Sequence, residues 1–505
     1  MELNTNKNYT FSFIKYVYLC SRYTNILYKM KVAMKKLLVE ILIFCLVFSA
    51  YSQSPQTKDR SKDLMCDVLQ NPLARKTTTL NGKWHYIVDQ YETAFYDYHG
   101  KPRDESKTIS LSNGFQLNYT PKDKTERVEY NFDLSPTMII PGDWNTHSEK
   151  LFHYEGSIWF KKSFEYKKDQ ADNRVFIHFG AANYRSDVYI NGKKAGMHEG
   201  GFTPFFFEIT DLLKTGENFV VVRVNNTRKK ENIPALNADW FNYGGITRDV
   251  SLIETHPVFI KDYKLQLKPG DLNTASGYVL LDGETREKQK VSVSIPELGI
   301  QKVVKTDESG MAEFEIELKD LTLWNPENPK LYDVVLEYNN EQILDKIGFR
   351  TVSVKGKDIL LNGKPVFLRG ISIHEENPLR GNRNFCKEDA YLMLNWVREL
   401  GCNFVRLAHY PHNDYMIHLA DEMGIMVWCE NPVYWNILFE NQETYEKASC
   451  MMSELISRDK NRASVIIWSV GNETPVGHDR NVFLGKMIRH TKAMANTRLV
   501  SAALE

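Results

Sequence analysis

The first half of the chain alternates hydrophobic and polar residues in short runs, the pattern of half-buried β-strands. Between residues 78 and 255 these runs lie close together and are separated by turn residues. The Asn191-Gly192 pair that follows the run at 187–190 is typical of a tight hairpin, because both residues tolerate positive φ. We therefore predict an all-β, jelly-roll-like sandwich over residues 78–255.

A second β-rich stretch covers residues 256–354. It contains a Trp-Asn-Pro-Glu-Asn-Pro segment at 324–329, followed by a hydrophobic run at 331–338. Its length of roughly a hundred residues suits a small immunoglobulin-like β-sandwich.

After residue 355 the pattern changes to strands that alternate with helices. Strand-like runs are predicted at 366–371, 404–408, 425–429, 465–470 and 498–504, and helices at 387–400, 414–423, 443–458 and 481–495. This alternation with short connections predicts parallel strands with crossover helices, as in a (β/α)8 barrel or a doubly wound sheet. No glycine-rich phosphate loop follows the first strand, which disfavours a nucleotide-binding, doubly wound fold.

Polar side chains follow the first four of these strands, and in a parallel barrel the catalytic groups lie where strands end. In chain order they are His374, Glu375 and Glu376, then Arg406, His409 and Tyr410, then Glu430 and Asn431, and last Asn472 and Glu473. Carboxylates, amides and imidazoles at one rim suit acid/base chemistry on a neutral polar substrate. For any single member, above all Glu375 or Glu376, a structural hydrogen bond is the alternative.

Two longer segments resemble the signatures of glycoside hydrolase family 2. The first reads Asn-Phe-Val-Arg-Leu-Ala-His-Tyr-Pro at 403–411 and continues with Asp-Glu-Met-Gly-Ile-Met-Val-Trp at 421–428. The second, at 459–473, ends in Trp-Ser-Val-Gly-Asn-Glu. The resemblance covers residues 78–505 and implies a sugar-binding sandwich, an immunoglobulin-like domain and, at 355–505, a TIM barrel with about five of its eight β/α units. It favours the barrel over the doubly wound sheet.

The resemblance also assigns roles to the rim residues. It implies that Glu473 is the general acid/base of a glycosidase. The predicted substrate-binding residues, which come from both the sandwich and the barrel, are Asn472, His374, His409, Glu430 and Asp239. A turn-capping role is the alternative for Asp239. Neither a cofactor nor a metal is implied.

Segments at 198–205, 239–248 and 379–381 resemble β-glucuronidases within the family. The implied function is a retaining, exo-acting β-glycosidase that hydrolyses O-glycosidic bonds of glycans. Arg380 is a candidate helper in binding a uronate carboxylate, and a solvated loop arginine is the favoured alternative. A β-galactosidase or β-mannosidase of the same family is one alternative, and a catalytically inactive fragment or carbohydrate-binding protein is another.

A retaining glycosidase needs a second carboxylate about 5–5.5 Å from the first. The resemblance places this nucleophile at the end of the seventh barrel strand, whereas 32 residues follow Glu473. We therefore expect a fragment or truncated product of a longer gene, inactive and poorly soluble alone. Glu505 is the one nominal substitute within the chain.

Charge indicates the class of partner. The 64 basic residues balance 64 acidic ones, so no excess favours nucleic acid or an anionic membrane. The expected partner is a carbohydrate substrate, and the resemblance favours a homo-oligomer.

The N-terminal segment and the cysteines indicate the compartment. Residues 34–52, at the end of an N-terminal extension over 1–52, combine a Met-Lys-Lys start, a short apolar run and a small-residue cleavage site. This pattern predicts a signal peptide, export to the periplasm or beyond, and no stable membrane insertion after cleavage. The seven cysteines are odd in number and include no CxxC pair, so we expect neither a zinc site nor a disulfide framework. Most of them are predicted to be small buried apolar residues.

Overall fold

The computed structural model of the chain describes residues 66–96, 102, 131–168, 170 and 172–504. The extension and signal peptide predicted at 1–52, and Glu505, lie outside the described residues. Within the described part of the chain, no helix combines the length and the apolar character that a membrane crossing requires.

The first domain is a β-sandwich whose two sheets share one core. Its strands are β1 (Thr77–Thr79), β2 (Gly82–Asp89), β3 (Thr137–Ile140), β4 (Ser157–Tyr166), β5 (Arg174–Phe179), β6 (Arg185–Ile190), β7 (Lys193–Glu199), β8 (Phe205–Glu208), β9 (Gly216–Asn225) and β10 (Val250–Thr255), with a short helix α1 (Trp144–His147) after β3. The strand orders are β3-β2-β4-β9-β6-β7 and β1-β10-β5-β8. Val188 of the larger sheet and Ile177 of the smaller one lie in the same buried cluster, which confirms the predicted sandwich.

The predicted hairpin joins β6 to β7. Asn191 and Gly192 have φ values of 51° and 81° in the turn between these strands. Few residue types adopt such left-handed conformations at low cost, which is why this pair signals the turn.

The second domain is a smaller antiparallel sandwich. Its strands are β11 (Phe259–Leu267), β12 (Thr274–Asp282), β13 (Lys290–Ile295), β14 (Ile300–Lys305), β15 (Met311–Glu317), β16 (Tyr332–Tyr338) and β17 (Glu341–Ile347). They form sheets of order β11-β12-β15 and β14-β13-β16-β17. Every second residue of β12 is buried, as expected for a strand with one face on the core. The structure confirms the immunoglobulin-like sandwich.

A small sheet of β18 (Val352–Lys355), β19 (Asp358–Leu361) and β20 (Lys364–Pro365) leads into the barrel region. The strands that follow are β21 (Gly370–Ile373), the hairpin β22 (Glu376–Asn377) and β23 (Asn382–Arg383), β24 (Phe404–Leu407), β25 (Met426–Glu430), β26 (Val465–Thr474) and β27 (Leu499–Leu504). The helices are α2 (Lys387–Glu399), α3 (Asp414–Met423), α4 (Gln442–Asp459) and α5 (His478–Met494). Strands β21-β24-β25-β26-β27 pair in parallel in this order, which confirms the predicted alternation.

The first barrel strand begins later than the hydrophobic run at 366–371 predicts. The backbone of Arg369 exchanges hydrogen bonds with Asn403: its N–H donates to the Asn403 side chain at 2.9 Å, and its carbonyl accepts from the Asn403 N–H at 3.0 Å. Val366 donates instead to Ile359 of β19. Parallel pairing with β24 therefore starts only at Gly370.

The prediction of free cysteines without a disulfide is wrong. Cys66 and Cys450 form a disulfide that joins the segment before β1 to helix α4. Their separation of 384 residues gives no local spacing signal, so counting cysteines could not reveal the pair. The free cysteines of the described chain are Cys429, which is buried, and Cys386 and Cys402, which are half-buried.

Candidate active site

Glu473 lies near the end of β26 and is exposed, although the eight residues of the strand before it are buried. Its φ is 46°, a left-handed conformation that turns the chain away from the strand direction. The indole N–H of Trp435 donates to Glu473 Oε2 at 2.9 Å. The predicted acid/base is thus an accessible carboxyl group with an oriented hydrogen bond to one of its oxygens.

Asn472 precedes it and is buried, and Arg406 fixes the direction of its amide. The Arg406 guanidinium donates to Asn472 Oδ1 and forms two further bonds of 2.9 Å to the Glu430 carboxylate. With Oδ1 occupied, the amide nitrogen of Asn472 has no partner among the described residues. That N–H₂ group is a donor suited to a sugar hydroxyl.

Glu430 is fully buried beneath the rim and accepts bonds from three side chains. Besides Arg406, His409 Nδ1 lies 2.6 Å from its carboxylate and Trp428 Nε1 donates at 2.8 Å. A proton on Nδ1 of His409 makes this contact a hydrogen bond to the carboxylate. The structure therefore places Glu430 where it orients Arg406 and His409, and its own contact with a ring hydroxyl stays a prediction.

The sandwich contributes an aromatic wall to the same site. The ring of Trp240 lies 6.1 Å from that of His374, 6.0 Å from that of His409 and 4.9 Å from that of Tyr434. His374 and His409 are 5.4 Å apart between ring centroids. Burial, and next the charge of His409, lower the pKa of His374, which favours a neutral imidazole.

Asp239 comes from the same sandwich segment as Trp240 and remains exposed. One ligand atom each of Asp239, His374 and His409 lies within 4.8 Å of the others, a set that could hold a cation or several hydroxyl groups. Burial and the Asp239 carboxylate raise the pKa of the Tyr434 phenol. The structure thus brings together all six predicted site residues. Five of them line the pocket, and Glu430 lies buried beneath Arg406 and His409.

Glu375 is in a closed cluster beside this pocket. It is fully buried, with Arg248 at 3.1 Å and Arg383 at 2.9 Å, and it also accepts from the backbone N–H of Asn413. Burial alone would raise its pKa, but Arg248 and Arg383 lower the pKa of Glu375 to about 2. Glu375 therefore has the structural role that was the alternative to catalysis. Burial raises the pKa of its neighbour Glu376.

Arg380 does not behave as a free cation that awaits a uronate. Both of its terminal nitrogens donate to Asp389 of α2 at 2.6 Å. This ion pair occupies the guanidinium because Asp389 lies in the first turn of the helix that follows the loop. Arg380 is therefore an ion-paired loop residue in this structure, and its suggested contact with a uronate stays a prediction.

Sequence reasoning missed three aromatic residues of the site: Trp240, Tyr434 and Trp435. Each follows a turn or a strand end and lacks the charged chemistry that drew attention to the other rim residues. The available signal was the Tyr434-Trp435 pair in the loop after β25, because the strand end places this loop at the rim.

Three family models match consecutive parts of the chain. The sugar binding domain of glycosyl hydrolases family 2 matches residues 77–256, a second model described as glycosyl hydrolases family 2 matches 258–350, and the TIM barrel domain matches 352–503. Together they follow the order of the three regions in the structure.

Individual relatives agree with these models. A beta-glucuronidase of Paenibacillus borealis is 27% identical over 386 residues, 68% of this chain and 63% of that protein. A beta-galactosidase of Streptococcus thermophilus is 29% identical over 464 residues, 84% of this chain and 42% of that protein. The chain therefore spans 42% to 63% of the length of these relatives.

The solved structure of Ruminococcus gnavus beta-glucuronidase superposes with a TM-score of 0.72 at 25% identity, over 88% of this chain and 74% of that one. The fold of this chain thus recurs over most of that structure. The chain belongs to glycoside hydrolase family 2.

Proposed function

We propose that this chain carries the acid/base half of a retaining, exo-acting β-glycosidase. The observation that supports this most is the pairing of an exposed Glu473 with a buried Asn472 whose amide oxygen is held by Arg406. A carboxyl group that meets solvent and substrate can exchange a proton with a glycosidic oxygen. An amide donor beside it suits the 2-hydroxyl, whose hydrogen bond strengthens in the transition state.

Within this reaction class we propose β-glucuronides as the preferred substrates. Support comes from the beta-glucuronidases among the relatives and the superposed structures. A β-galactosidase is the second candidate, because the beta-galactosidase of Streptococcus thermophilus matches the longest share of this chain among the relatives described above. A panel of chromogenic β-glycosides distinguishes the two: cleavage of galactosides without cleavage of glucuronides would overturn the preference.

Replacement Glu473→Gln in the active protein that contains this sequence tests the acid/base role. We expect turnover of substrates with poor leaving groups to fall by about 10²–10⁴-fold, the usual contribution of acid catalysis. Activated leaving groups, which depart with little protonation, should lose much less. Glu440→Gln, which changes an exposed glutamate of the loop after β25, is the matched control and should keep parent rates. Parent turnover of natural glycans by Glu473→Gln would exclude the assignment.

We also propose that the protein is exported. The Cys66–Cys450 disulfide supports this, because such bonds persist in oxidising compartments. N-terminal sequencing of the native protein should find a start at or near Gln53, and a retained Met34 or Met1 would contradict export. The homo-oligomer stays a prediction that the mass in solution tests.

A further inference from the structure

The position of Trp435 is set by backbone hydrogen bonds to the end of β26. The backbone N–H of Trp435 donates to the backbone carbonyl of Asn472 at 3.1 Å. The backbone N–H of Asn472 donates to the backbone carbonyl of Val433 at 2.9 Å. The segment after β25 is therefore fastened to the residue directly before Glu473. Trp435 has a φ of 50° and Glu473 a φ of 46°, conformations that large L-residues adopt only where the surroundings impose them.

The indole acts on one particular oxygen of the carboxyl group. An indole nitrogen can only donate, so the atom it contacts, Glu473 Oε2, has to accept. In a protonated carboxyl group the carbonyl oxygen is the better acceptor, so the proton is directed to the other oxygen, Oε1. The contact thereby keeps the proton on Oε1.

The ring of Trp435 also has a free surface. It is 38% exposed, and one side meets Tyr434 at 4.7 Å between centroids. The oxygen that Glu473 protonates must lie within hydrogen-bond distance of its carboxyl group, and the indole nitrogen lies 2.9 Å from that group. The group attached to the leaving oxygen therefore passes next to the indole.

From these contacts we propose that Trp435 has two roles in the reaction proposed for this chain, on which the inference rests. As a positioning residue it holds the Glu473 carboxyl group so that Oε1 carries the transferred proton. As a specificity-determining residue it forms one wall of a leaving-group subsite that binds a flat, weakly polar ring face. Such a face belongs to an aromatic aglycone or to the apolar side of a sugar ring.

Two replacements separate the roles. Trp435→Phe keeps a ring and removes the N–H, whereas Trp435→Ala removes both. With substrates of one glycone, we expect Trp435→Phe to lower kcat about tenfold for poor leaving groups, the size of one hydrogen bond to a charged group. It should leave 4-nitrophenyl substrates within about threefold of the parent, and KM for ring-bearing substrates nearly unchanged.

Trp435→Ala should add a KM increase of about fivefold for ring-bearing leaving groups, from lost stacking. Alkyl leaving groups of similar basicity should show no KM change. An increase confined to aryl glycosides identifies aromatic aglycones as the ring recognised, and one confined to disaccharides identifies a sugar. Leu400→Ala, which truncates an exposed side chain after α2, is the control and should match the parent in kinetics and thermal unfolding.

Binding of non-hydrolysable aryl and alkyl thioglycosides, measured by calorimetry, distinguishes failure of this inference from failure of the proposed function. If the parent binds aryl thioglycosides through Trp435 without hydrolysing any glycoside, the subsite stands and the proposed function falls. The inference is overturned if Trp435→Phe keeps the parent kcat on poor leaving groups in an active enzyme. It is also overturned if Trp435→Ala weakens the binding of aryl and alkyl thioglycosides equally, or leaves the binding of both unchanged.

Discussion

Two glutamates at the same rim, Glu375 and Glu473, have opposite surroundings. Glu375 is fully buried between Arg248 and Arg383, and these cations hold its pKa near 2. Glu473 is exposed and has one neutral donor, the Trp435 indole. A carboxylate locked in its charged form by two cations is unsuited to giving up a proton near neutrality. Position at a strand end therefore does not assign chemistry, but the number of charged partners does.

The buried cluster of Glu375, Arg248 and Arg383 also helps to position the exposed pocket around Glu473. Arg248 comes from the sandwich, so its pair with Glu375 fastens the sandwich to the barrel. A second buried pair across the same interface joins His198 to Glu454 of α4 at 2.9 Å. The sandwich segment with Asp239 and Trp240 reaches the pocket from this docked position. Weakening the Glu375 cluster should thus reduce the stability of the protein more than it reduces substrate binding.

The largest expected effect comes from breaking the Glu375 cluster at its centre. Glu375→Gln leaves Arg248 and Arg383 buried without a counter-charge, which should lower the free energy of unfolding by about 3–5 kcal/mol. Glu376→Gln is the matched control, because burial already favours the neutral form of Glu376. Thermal unfolding of both variants measures the difference. Equal melting temperatures for Glu375→Gln and the parent would contradict the structural role of Glu375.

A smaller effect should follow from opening the disulfide that ends on α4, the helix that carries Glu454. Cys66→Ser should cost about 2–4 kcal/mol, the usual contribution of a disulfide. Cys402→Ser, which changes a half-buried free thiol, should cost less. Free-thiol titration of the oxidised parent provides the check, since a count that includes Cys66 and Cys450 would show that the bond is absent.

A further effect is a change in the pH dependence of stability. Burial lowers the pKa of His412, next to Glu375, to about 4. Because the folded value lies below the ordinary 6.5, the contribution of His412 is complete above pH 6.5 and is lost as pH falls toward 4. His412→Asn should flatten the stability profile in that window by at most about 1.4 kcal/mol per pH unit. The free energy of unfolding, measured with urea at a series of pH values, gives this profile. The same pH dependence in His412→Asn and the parent would contradict the lowered pKa of His412.

Much of the fold was predictable because it depends on local pattern. Helix α3 begins after Asn413, whose side chain accepts from the Tyr415 N–H, and ends at Gly424 with a φ of 72°, so its predicted bounds agree with the structure. The first barrel strand begins later than predicted because the backbone N–H and carbonyl of Arg369 bond to Asn403 instead of entering the parallel ladder with β24. That competition depends on a tertiary contact and leaves no periodic signal.

The site was predictable where residues follow strand ends and less so where domains meet. Asn472 and Glu473 were identified because they close a hydrophobic strand. The separation of Glu375 from catalysis depends on Arg248, which is 127 residues away in sequence, and no local pattern reports such a pair. The wall formed by Trp240 is likewise a consequence of domain docking.

Azide rescue tests most directly the claim that the open glutamate does the chemistry and the closed one does not. Glu473→Ala in the active protein, with an activated aryl β-glycoside, should be slow in buffer and accelerated by azide. Azide needs no deprotonation to attack, so the product should be a β-glycosyl azide that nuclear magnetic resonance identifies. Glu375→Ala should gain nothing from azide. Absence of rescue in Glu473→Ala, or a glycosyl azide from Glu375→Ala, would contradict this division of roles.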